Sequence, residues 1–216
     1  MNIRKILSAL SVAGALGVAG MSAIAGPLSA SDATFGSFDA SSGTRSLSIS
    51  GFASITDVNI SIVFAKCDDP SLGAGGGIVG NPCIGGGNPF NNEVRFSLTH
   101  GATTVQLVGA GFSTQTIGGV VEMTFDDLGA AFPAFPTTGT FDPTGSLSDF
   151  NGAEANGLWT LNIQDTVGAD RLDYFRSCLS INGDTGCGAN NVPEPISLAL
   201  FALGLAGLGY TRRKAV

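Results

Sequence analysis

The chain carries little positive charge. Only ten of its 216 residues are Lys or Arg, and five of those sit at the two ends: Arg4, Lys5, Arg212, Arg213 and Lys214. The segment 26–192 holds five basic residues against sixteen acidic ones, a formal charge of −11. A body that acidic repels phosphate backbones, so no nucleic-acid partner is expected. Histidine is scarcer still. His100 is the only one, and a Ser-His-Asp apparatus needs its His facing an activated serine and an acid. His100 stands instead at the end of an expected strand, just before Gly101. G-x-S-x-G, H-E-x-x-H and P-loop motifs are absent. The expectation is a protein that is not an enzyme and that needs no cofactor. Helical periodicity is missing too, since no window of 26–192 places apolar residues every 3.6 positions.

What is present is β pattern. Glycine accounts for 32 residues, and short alternating runs lie between Gly, Pro, Asn and Asp clusters. Val58-x-Ile60-x-Ile62-x-Phe64, Val94-x-Phe96-x-Leu98 and Trp159-x-Leu161-x-Ile163 alternate cleanly. Val105-x-Leu107, Val121-x-Met123-x-Phe125 and Phe175-x-Ser177-x-Leu179-x-Ile181 do so more loosely. Period-two burial over five to seven short strands predicts an all-β sandwich of two sheets. Residues 71–87, with two glycine clusters, read as a loop. Asn156-Gly157 reads as a turn that needs positive φ. Trp159, the only tryptophan, then opens a strand as a core residue.

Four cysteines, Cys67, Cys83, Cys178 and Cys187, make an even set. In an exported chain that favours disulfides over thiols. The gaps of 15 and 8 residues lack the tight knuckles of a zinc site. Three connectivities are open, and the expected one is local, Cys67 with Cys83 and Cys178 with Cys187, each pair flanking a Gly-containing loop. Loop acids form the one set of metal candidates: Asp68, Asp69, Asp126, Asp127, Asp165 and Asp170. Carboxylates at the rim of a sandwich are ligands of the kind Ca²⁺ takes, although no EF-hand loop occurs.

The ends are addresses rather than fold. In 1–25, Arg4 and Lys5 precede an apolar run from Ile6 to Gly20. Ala23-Ile24-Ala25 offers small residues for signal peptidase, with cleavage before Gly26. In 187–216, a linker leads to Pro193-Glu194-Pro195, an apolar stretch over 196–210, and the basic cluster Arg212-Arg213-Lys214. As a helix that stretch reaches only about 22 Å, short of the roughly 30 Å hydrocarbon core. It is a weak anchor whose basic end stays cytoplasmic, with an extended Pro-bounded segment just outside. These three parts in order resemble the PEP-CTERM sorting signal. The resemblance implies an exosortase as processing partner, and transient anchoring in the inner membrane. Release to the cell surface or an exopolysaccharide matrix would follow, with exopolysaccharide or envelope proteins as further partners.

Within 26–186, the stretch from Leu147 to Asp165 resembles the P domain (P/Homo B domain) of proprotein convertases. Phe150, Gly152, Ala155, Asn156, Gly157, Trp159, Thr160, Leu161 and Asp165 fall on that family's phrase "F-x-G-E-x-A-N-G-x-W-T-L-x-V-x-D". Glu154 stands one place later than the family's Glu. The likeness implies a jelly-roll-like β-sandwich, here flanked by a signal peptide and a short C-terminal hydrophobic helix. The function expected is a structural or adhesive surface protein. The alternatives are a carbohydrate- or protein-binding module, with or without calcium, and a protease-associated P domain.

Overall fold

Alternating burial runs along most of the long strands in the computed structural model, which describes residues 28–68, 72–85, 87–115 and 118–183. The expected signal peptide (1–25), Asp69, Cys187 and the sorting tail lie outside the described residues.

Among the described residues, ten strands form two sheets. In one, β1 (Leu28–Asp32) and β2 (Gly36–Phe38) lie end to end along one edge of β10 (Leu172–Ile181). The sheet then continues through β4 (Val58–Lys66), β7 (Val120–Ala130) and β8 (Gly139–Phe141). The other sheet runs β3 (Ser42–Ile49), β9 (Gly157–Asp165), β5 (Val94–His100) and β6 (Thr103–Val108). All pairings are antiparallel except β7 with β8. The two-sheet, all-β expectation holds, and every alternating run named from sequence lies in a strand. The sequence reading missed β1, β2, β3 and β8. Their apolar residues are few; β3 sends only Leu47 and Ile49 into the core.

Pleating explains the core. Val58, Ile60, Ile62 and Phe64 of β4 meet Trp159, Leu161 and Ile163 of β9 and Val94, Phe96 and Leu98 of β5 in one apolar cluster. The other face of β4 is buried as well. Val63, Ala65, Cys67 and Val120 form a second cluster, covered by Leu72, Val79, Cys83 and Phe175. The glycine-rich segment expected as a plain loop makes that cover. It bridges Leu72 to Cys83 and Pro82 to Gly119, exchanges Gly80 N–H and Asn81 C=O with Val120, and is tied down by Cys67–Cys83. All nine residues of β4 are buried, with Val63 and Ala65 under this cover.

One phase expectation needs correction. The alternation in sequence puts Phe175 on one face with Ser177, Leu179 and Ile181. A bulge between Tyr174 and Arg176 breaks the period, so Tyr174 enters the core while Phe175 packs against the outer cluster. An inserted residue does this because each side chain beyond it switches face.

Leu28 pairs with Ile181, beside Val58. The described chain thus starts and ends at one end of the sandwich. Lys66 pairs with Leu172 at the opposite end.

Candidate functional site

Trp159 is fully buried. Its indole N–H donates to Ala155 C=O at 3.0 Å, which satisfies the one polar atom of the ring. Phe150 packs at 4.9 Å on one side, and the His100 ring lies parallel to the indole at 4.1 Å. Both ring nitrogens of His100 face backbone carbonyls, those of Leu158 and Glu154. Gly157, just before, has φ +122°, a conformation that favours glycine. Asn156, also expected to need positive φ, is not among the residues with that geometry.

The six calcium candidates do not form one set. Asp127 accepts from Leu147 N–H, Ser148 N–H and Ser146 Oγ, and so fastens the short 3-10 turn Leu147–Phe150. Asp126 accepts from Leu128 N–H. Both lie just past Phe125, which pairs with Ile60. Asp165 and Asp170 belong to the Lys66 end of β4, about 20 Å away at ~3.3 Å per residue. Among the described residues, no group of three or more His, Cys, Asp or Glu side chains is placed to hold a metal.

At the Lys66 end the structure assembles a cluster that sequence reasoning missed. In the register of β4, Lys66 follows Val58, Ile60, Ile62 and Phe64 on the inward face. In β9, Asp165 follows Trp159, Leu161 and Ile163 inward. Asp165 is therefore no rim acid, as the calcium reading took it to be, because the pleat turns it between the sheets. Lys66 Nζ stands 2.8 Å from Asp165 Oδ2 and 2.9 Å from Glu93 Oε2, and it also donates to Asp170 C=O. Lys66 and Asp165 side chains are wholly buried, and Glu93 retains 9% exposure.

Removing an ion from water costs several kcal/mol, so the neutral forms gain. Burial pushes the Asp165 carboxyl above its ordinary range, against the lowering effect of Lys66. Asp170 is likewise raised, first by burial and further by the neighbouring Asp68 carboxyl, while its bond from Phe90 N–H lowers it. A Cβ at Gly87 would overlap the Asp68 carboxylate as it stands, so any larger residue here requires that side chain to move.

Cys67 and Cys83 are joined, with Cα atoms 5.6 Å apart. Cys178 is disulfide-bonded too; its expected partner Cys187 lies outside the described residues. A groove of about 400 Å³ crosses the outer face of β1, β10, β4 and β7, lined by Asp32, Ser61, Glu122, Thr124 and Arg176 among others.

Comparison with known families adds one match. Residues 191–214 match the PEP-CTERM protein-sorting motif. No curated protein and no solved structure matches the chain, and no family match supports a P-domain body. Among the described residues no helix is long and apolar enough to cross a membrane; the apolar stretch 196–210 lies outside them. The matched motif is the recognition signal for exosortase processing, and it marks the chain as an exported, exosortase-processed protein of the cell surface.

Proposed function

We propose that this protein is a non-catalytic structural or adhesive element of the cell surface or extracellular matrix. The single observation that carries this reading is the sorting motif at 191–214, with Pro193-Glu194-Pro195, the apolar stretch and Arg212-Arg213-Lys214 in order. Signal peptidase acts at Ala25-Gly26, the stretch 196–210 anchors the chain transiently in the inner membrane, and an exosortase then trims it. The body favours a passive role. His100, the only histidine, has both ring nitrogens facing backbone carbonyls, one of which accepts from the ring N–H, and the acidic side chains fasten turns and a lysine. A jelly-roll, P-domain-like ancestry for the sandwich rests on the Phe150–Asp165 phrase and on Trp159 sitting at its centre.

Replacing Pro193, Glu194 and Pro195 together by alanine tests the reading. The variant is expected to keep its tail and stay in the inner-membrane fraction. Release with a trimmed C-terminus would contradict the reading.

A second reading, a carbohydrate- or protein-binding module, is favoured by the polar groove over β1, β10, β4 and β7. Hydroxyls, carboxylates and a guanidinium on an open sheet face suit a polyhydroxylated ligand. Saturable binding to a polysaccharide panel, lost in Arg176→Ala, would place it ahead of the structural reading.

A further inference from the structure

We propose that Lys66 and Asp165 form an intramolecular isopeptide bond, with Glu93 as the proton carrier, so that the domain covalently joins its own two sheets. Lys66 belongs to the six-stranded sheet and Asp165 to the four-stranded one. Their reacting groups meet between the sheets, 2.8 Å apart and without solvent exposure. A nitrogen at that distance from a carboxyl oxygen stands about 3.5 Å from its carbon, at the edge of the near-attack range.

The chemistry balances without any co-reactant. The proton shared between Nζ and Oδ2 passes to Asp165, leaving a neutral amine facing a neutral carboxylic acid. Desolvation favours that redistribution, and burial raises the Asp165 carboxyl in the same sense. Nζ attacks Cγ, forming the N–C bond. Glu93, 2.9 Å from Nζ, takes a proton from the nitrogen of the tetrahedral intermediate. It then hands that proton to the departing hydroxyl as the C–O bond breaks, and water leaves. Glu93 finishes as it began, accepting the N–H of the new amide. Glu93 is also the member of the trio with some exposure, so the water has a way out.

Two physical considerations favour the bond over a permanent ion cluster. As ions, one ammonium and two carboxylates share a dry site with a net negative charge. Condensation replaces two of those ions by one neutral amide, and that relieves desolvation. The fold also supplies the proximity that free amine and acid lack in water, since effective molarities of positioned groups reach about 10⁵–10⁸ M. A positioned acid–base group such as Glu93 adds about 10²–10⁴-fold.

The test is a peptide map of the exported protein as recovered from the surface or medium, reduced and alkylated before digestion. A branched peptide is expected, joining the Lys66 and Asp165 segments and lighter than their sum by one water. Trypsin should fail to cut after Lys66, and the reduced, boiled protein should migrate faster than its Lys66→Ala variant because of the closed loop. Linear peptides carrying an unmodified Lys66 and an unmodified Asp165 would overturn the proposal. In Glu93→Gln both peptides should be recovered linear from folded protein; a full yield of branched peptide there would overturn the role of Glu93. If that variant does not fold, the wild-type map decides by itself.

Discussion

Truncating Trp159 to alanine removes the largest fully buried side chain of the sandwich. A buried aromatic withdraws roughly 150–250 Å² from water, which at about 25 cal/mol per Å² is worth about 4–6 kcal/mol. Alanine keeps a small part of that, and the rigid wall of Phe150, Leu161 and the His100 ring limits collapse into the hole. Measured losses for such truncations run about 3–5 kcal/mol. Ala155 C=O also loses the indole donor. With a urea slope of ~2 kcal/mol/M, a loss of about 4 kcal/mol moves the unfolding midpoint down by about 2 M. That is a large part of the ~5–15 kcal/mol that holds a domain together, so the variant is expected to be barely folded or insoluble. The assay is urea unfolding of both proteins, with wild-type indole emission read in the presence of an aqueous quencher. Blue-shifted, poorly quenched emission is expected. A red-shifted, quenchable indole together with an unmoved midpoint would refute the packing argument and put the ring on the surface.

Three further outcomes follow from the same structure. Breaking Cys67–Cys83 by a double alanine substitution should cost about 3 kcal/mol on the chain-entropy account of a loop of this size, read as a lower urea midpoint. The glycine-rich cover over Val63 and Ala65 should then become protease-sensitive. Gly157→Ala should cost roughly 1 kcal/mol or more from backbone conformation alone, because φ is +122° while the space beside it is open, with His100 Cε1 at 3.7 Å. Asp170 is held above its ordinary value by burial, so its favourable contribution is complete below about pH 3.8 and fades as pH rises through its raised value. Asn carries no such titration. Asp170→Asn should therefore gain stability relative to wild type as pH rises through that window, and a pH-independent difference in unfolding midpoint would contradict the assignment.

Strong alternation made the middle of the fold legible. Val94-x-Phe96-x-Leu98 and Trp159-x-Leu161-x-Ile163 fix both the strands and their inward faces, since period two has no helical reading there. β1 and β3 were not legible. Ser, Gly and Thr fill Leu28–Asp32 and Ser42–Ile49, and they are held by pairing with β10 and β9 rather than by apolar content of their own. Phe175 misled because a bulge leaves no mark in composition. The Lys66 cluster was half legible. Carrying the β4 register two residues past Phe64 and the β9 register two past Ile163 places Lys66 and Asp165 on inward faces. Nothing local says that these two strands, one from each sheet, end facing each other, with Lys66 Nζ in contact with Asp165 and Glu93 together. That fact lives in the topology, at a separation of 99 residues.

The central claim is that the chain leaves the cell and loses its tail on the way. Mass spectrometry of both termini of the protein recovered from the surface or medium of its native host tests it most directly. The account predicts an N-terminus at Gly26 and a C-terminus upstream of Arg212-Arg213-Lys214, with that trimming abolished when Pro193, Glu194 and Pro195 are replaced. Surface or medium protein that still ends at Val216 would contradict it.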